Sequence, residues 1–204
     1  MQNQEHIGTV VAAGVLPVLV LHLQSCHDGL TELATIATKN IARNHTYSAA
    51  VVDAGAVPVL VSLLKGPNED LSEVAADALK EIAHNELHTD AVISAGAVPA
   101  LLTILQAGNT ELRLVATELL RSIANNSACL GAVCQAGAFE TLLSIMQNDA
   151  NLDMRNAASD VLQSMAEKQV GDTDAKANAY NDSDSAGYES SSSDSSDTHD
   201  YRPM

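Results

Sequence analysis

The chain has 204 residues, 46% hydrophobic but only 2% aromatic, and a formal net charge of −16. That length suffices for one well-buried domain and a tail, and a core without Trp must be built from Ala, Val, Leu and Ile, which suits closely stacked helices. The charge argues against nucleic-acid binding through the phosphate backbone and favours a partner with a basic surface.

The N-terminal segment MQNQEHIG lacks the charged-then-apolar pattern of a signal peptide, and no apolar stretch approaches about twenty residues. The expectation is an intracellular protein with no membrane partner. The three cysteines, Cys26, Cys129 and Cys134, are odd in number and make no disulfide framework, which fits a reducing compartment. The chain opens almost directly on a short helix, with no polar segment to cover the first repeat edge. Residues 1 to 24 are expected to cap themselves, or a further segment or another chain covers that end, end-to-end self-association included.

From there the chain repeats itself. VVAAGVLPVLVLHL, VVDAGAVPVLVSLL, VISAGAVPALLTIL and VCQAGAFETLLSIM align on Gly14, Gly55, Gly96 and Gly137, each 41 residues after the last. Pro17, Pro58 and Pro99 follow three residues on, with Glu140 in the fourth copy. Ile41-Ala42, Ile82-Ala83, Ile123-Ala124 and Met165-Ala166 mark the end of each copy. Their last step is 42, so the fourth unit carries one extra residue between its second and third helices.

Each unit reads as three helices. The first is short, for example His88 to Ser94, and stops at the glycine, which tolerates a left-handed backbone. Proline opens the second, where its missing N–H costs nothing. A polar break such as Gly66-Pro67-Asn68 or Gly108-Asn109 precedes the third and longest helix. In the second unit that helix places Leu71, Val74, Ala75, Ala78, Leu79 and Ile82 on one face. The units run over residues 5–43, 44–84, 85–125 and 126–168.

The VVxAGAVPxLVxLL stretch, the period of about forty residues and the Ile-Ala ending of the third helix resemble armadillo repeats over residues 5 to 168. The resemblance implies an all-α, right-handed α-solenoid of four three-helix repeats, whose third helices line a concave groove for extended peptides or protein partners. The runs KNIARNHTYSAAVVDAGAVPVLV and ALKEIAHNELHTDAVISAGAVPALL are similar to repeats of axonemal central-pair armadillo proteins, which implies an alternative role as a structural component of a cytoskeletal or axonemal assembly.

In register, the groove residues fall in two columns: Ile36, Asp77, Glu118 and Asp160, then Asn40, Glu81, Ser122 and Ser164. In importin-like armadillo proteins these columns hold Trp and Asn, which clamp a basic signal peptide. Only Asn40 matches, and with no Trp in the chain a nuclear transport receptor is disfavoured. Two readings of the acids stay open. They attract Lys and Arg of a ligand, or they pair with the neighbouring column Lys39, Lys80 and Arg121, as Asp77–Lys80 and Glu118–Arg121 at i,i+3.

Other motifs have structural explanations. The glycines lie too far apart to cradle a phosphate. His84 and His88, with Glu86 and Asp90 nearby, straddle a repeat junction and read as exposed turn residues, not metal ligands. Cys129 and Cys134 read as small core thiols. No nucleophile elbow or other catalytic signature is present, so neither an enzyme nor a cofactor is expected. Residues 169–204 hold eight acids and two bases and almost no aliphatic residue, and are expected to form a disordered acidic tail. Within it Ser191, three residues before Asp194, resembles a site of acid-directed kinases.

Overall fold

The computed structural model describes residues 2–185, with side chains placed for 6–126 and 128–168. Among the described residues there are twelve helices and no strand, in four successive triplets. The first triplet is α1 (Gln2–Ala12), α2 (Val15–Leu23) and α3 (Asp28–Ala42). The second is α4 (His45–Asp53), α5 (Ala56–Leu64) and α6 (Glu69–Ala83). The third is α7 (Glu86–Ser94), α8 (Ala97–Ala107) and α9 (Thr110–Ala124); the fourth is α10 (Ser127–Gln135), α11 (Ala138–Asn148) and α12 (Leu152–Ser185). The expected extra residue appears between α11 and α12, where three residues, 149–151, replace the two between α8 and α9.

The repeated glycine makes the sharp bend between first and second helices. Gly55 and Gly96 have φ of 78° and 83°, a backbone region that a side chain disfavours. The proline does not open the second helix as expected: the helix starts at Ala56 or Ala97, with Pro58 or Pro99 as its third residue. The substitution is still free of cost, because N–H groups of the whole first turn have no acceptor inside the helix.

The sequence reading overlooked the asparagines. Asn44, Asn85 and Asn126 cap the first helices of units two to four by accepting from Thr46, Leu87 and Ala128 N–H. Asn68, Asn109 and Asn151 do the same for the third helices. Three caps also tie neighbouring units together: Asn68 Nδ2 donates to Asp28 at 2.9 Å, Asn109 Nδ2 to Glu69 at 2.8 Å and Asn126 Nδ2 to the Glu86 carbonyl at 3.0 Å.

The core follows the repeat. Leu60, Leu101 and Leu142 are fully buried in the second helices, as are Val51, Val92 and Val133 in the first and Ala75, Ala116 and Ala158 in the third. Each such Leu contributes about 1.5–3 kcal/mol by leaving water. Of the face expected on α6, only Val74 is half-buried; the other five are buried. α6 packs between α3 and α9, so the third helices form one continuous row.

The chain divides into two compact units, Met1–Gln169 and Val170–Met204. α12 is assigned as helix as far as Ser185. Polarity removes the means to bury a face, but Ala175, Lys176, Ala177 and Ala179 still favour helical backbone. Residues 186–204, Ser191 included, lie outside the described residues. No single helix among the described residues is long and apolar enough to cross a membrane.

Candidate partner-binding face

Residues four apart on a helix share a face, and the 41-residue step puts equivalent faces of α3, α6, α9 and the start of α12 side by side. The candidate residues fall on this row. Ile36, Asp77, Glu81, Ser122 and Ser164 are half-buried, and Asn40, Glu118 and Asp160 are exposed.

The charges on this row are linked across repeats. Lys39 on α3 reaches Asp77 on α6 at 3.4 Å. Lys80 bonds Asp77 at 3.0 Å along its own helix and Glu118 on α9 at 2.8 Å. The expected Asp77–Lys80 pair therefore forms. The expected Glu118–Arg121 pair does not, because packing brings Lys80 nearer to Glu118 than the i,i+3 partner comes. Burial works against the charge of Lys80, but its bonds to Glu118 and Asp77 outweigh that and raise its pKa. Exposed pairs of this kind contribute about 1 kcal/mol at most.

The zigzag uses up two acids and leaves others. Among the described residues, Glu81 and Asp160 have no ion-pair partner. Asp160 shares a small cleft of about 120 Å³ with Glu118 and Arg121. Ser122 turns its hydroxyl back to the Glu118 carbonyl at 3.1 Å. At the other end of the row Asn40 and Arg43 border a cleft of about 570 Å³ with His6, Ile7 and Val10.

Glu73, one turn before Asp77, was missed from sequence because it lies outside both columns. Its pKa is raised, first by burial and then by the negative charges of Glu111, Asp77 and Asp70, with Lys39 opposing. The row thus carries more negative charge than its lysines neutralise.

His45, His88 and Cys129 lie on the first helices of their units. His84 closes α6 and stacks on His45, ring centroids 5.8 Å apart, while His88 lies on α7, so the two share no helix. Cys129 is buried, and its Sγ donates to Asp90 at 3.2 Å. Burial and that bond push its pKa up to about 11, which keeps it a thiol.

The model of the Armadillo/beta-catenin-like repeat matches residues 45–84 and 85–125, the second and third units. No curated protein sequence matches the chain. Among solved structures, an engineered protein from the Northeast Structural Genomics Consortium is 32% identical with a TM-score of 0.72, over 79% of this chain and 67% of that one. A designed armadillo repeat protein in complex with the peptide (KR)4 is 29% identical with a TM-score of 0.75, over 79% and 68%. A structure of computationally designed armadillo repeat proteins for modular peptide recognition is 28% identical with a TM-score of 0.73, over 78% and 68%. Repeat solenoids of this kind are typically non-catalytic scaffolds that bind protein along an extended surface. The chain belongs to the armadillo-repeat family.

Proposed function

We propose that the chain is a non-catalytic adaptor, at work in a reducing, intracellular setting, that holds an extended basic segment of a protein partner against its third helices. The observation that carries this reading is the surplus of acid on that row. Asp77 and Glu118 are engaged by Lys39 and Lys80, yet Glu73, Glu81 and Asp160 have no cation of their own among the described residues. A peptide with alternating Lys and Arg would place charge against them, and the likeness to a designed protein that carries such a peptide supports the choice of ligand.

The ion pairs give the reading a specific consequence. Lys39 and Lys80 compete with a ligand for the same carboxylates, so removing a lysine should help binding. Anisotropy of a labelled (KR)4 peptide on the full chain tests this at low and at physiological salt. Asp77, Glu81 and Glu118 changed together to Lys should abolish binding. Lys80→Ala should tighten it by about threefold to tenfold and steepen its decline with salt. Unchanged affinity in the folded triple variant would remove this face from the account.

A further inference from the structure

Two junctions between units build a groove along the second helix of the following unit, and the two grooves differ in their charged side chains. Between units three and four the groove is lined by Leu105, Arg113, Thr141, Ser144, Ile145 and Asp149, and its volume is about 290 Å³. Between units two and three the residues 41 positions earlier, Leu64, Ser72, Ala100, Thr103, Ile104 and Gly108, line a groove of about 450 Å³ along α8. The two sites are copies of one design in which four of these six side chains differ, and two of the changes, Arg113 to Ser72 and Asp149 to Gly108, remove a charge.

In the smaller groove Arg113 supplies what fills it. Its Nε donates to the Leu105 carbonyl at 2.9 Å, in the last turn of α8, and its guanidinium pairs with Asp149. The two side chains are only 18% and 11% exposed, so the cation lies within the groove. In the larger groove Ser72 stands in place of Arg113, and its hydroxyl turns away to the Leu63 and Asn68 carbonyls. Gly108 stands in place of Asp149. A Cβ there would meet the Ile104 carbonyl oxygen at 2.9 Å, so this position resists the acidic side chain of its counterpart.

What remains in the larger groove is a receptor without its cation. The floor is apolar, from Leu64, Ala100 and Ile104, all buried. The Leu64 carbonyl, counterpart of the one that Arg113 bonds, receives no hydrogen bond from any described residue outside its helix. It lies at the negative end of α5. Glu69 is on the rim, with one carboxylate oxygen bonded to Asn109. The cation already present, Lys65, extends toward the far end of α8: its Nζ is 3.3 Å from where a Cβ on Gly96 would stand.

We propose that this groove takes an arginine side chain from a protein partner, whose stem lies on the apolar floor while its guanidinium bonds the Leu64 carbonyl and the Glu69 carboxylate. Arginine fits better than lysine because a planar fork serves two acceptors at once. It fits better than an aliphatic chain because the acceptors would otherwise stay unsatisfied, and because a chain of net charge −16 attracts cations. The site shares no residue with the candidate columns on the third helices and stands whether or not those columns bind peptide.

The test uses the full chain, methyl NMR of Leu64, Ala100 and Ile104, and three blocked tripeptides of glycine flanking arginine, citrulline or norleucine. The arginine peptide should shift these methyls, and the citrulline and norleucine peptides should bind at least about fivefold more weakly. Ser72→Arg, which fills the groove from within, should abolish the shifts. Should that variant fail to fold, Ala107→Leu on the exposed rim should weaken them. Equal shifts with norleucine, arginine shifts that survive both substitutions, no shift with any peptide, or shifts confined to Val161 on α12 would each overturn the proposal.

Discussion

Glu73 shows how one residue reports the state of a surface. Its carboxyl is disfavoured as an anion by burial and by Glu111, Asp77 and Asp70, so its pKa in the folded chain lies above the value of about 4.3 expected when unfolded. Folding therefore takes up protons as pH rises through that window, and the stability associated with the neutral acid is lost above it. Glu73→Gln should raise Tm at pH 7 by about 1 °C, and the gain should vanish below about pH 4. Paired thermal melts at the two pH values check this. A gain that persists in acid would mean that the substitution acts through packing, not charge. Asp149 has the opposite sign. The backbone N–H of Asn151, and then Arg113, hold its pKa down, so the stability it contributes is present at neutral pH and lost as pH falls through its folded pKa.

At the level of the helix, the caps decide more than the propensities. The first helices of units two to four are nine residues long, too short to persist alone. Asn85→Ala removes one local bond, to Leu87 N–H, and should cost about 1 kcal/mol. Asn109→Ala removes the cap of α9 and also the bond to Glu69 on the preceding unit, so it should cost more, about 1–2 kcal/mol. Urea midpoints for the two variants, at unchanged denaturant dependence, separate them; equal losses would mean that the bond across units contributes nothing.

The same elements show what was legible beforehand. Helix number, register and the buried faces follow from a 41-residue period of Gly, Pro and Ile-Ala, because those residues have local backbone and burial reasons to recur. The candidate columns also landed on one row, since register alone places them. The partners did not follow. Glu118 has a lysine 38 residues back and an arginine three residues on; both spacings are compatible with a solenoid, and only the distance between packed helices selects Lys80. The groove along α8 was missed for a related reason. Ser72 and Gly108 are unremarkable residues, and they become a cavity only beside their counterparts Arg113 and Asp149.

Over the whole solenoid, stability is close to a sum of unit and nearest-neighbour terms, so burial should grade along the row of units. The equivalent valines Val51, Val92 and Val133 are 0% exposed, whereas Val10 in the first unit is 47% exposed. Leu60, Leu101 and Leu142 are fully buried, while Leu19 is half-buried. Leu101→Ala should then cost about 2–4 kcal/mol, and Leu19→Ala clearly less. Hydrogen exchange reads the same gradient without substitutions: amides of α1 and α2 should exchange well before those of α6, α8 and α9, through opening of the first unit alone. Uniform protection along the row would mean that the units open together and that the nearest-neighbour description fails. Protection of α1 and α2 that grows with protein concentration would place a second copy on that edge, because association stabilises only the face that it covers.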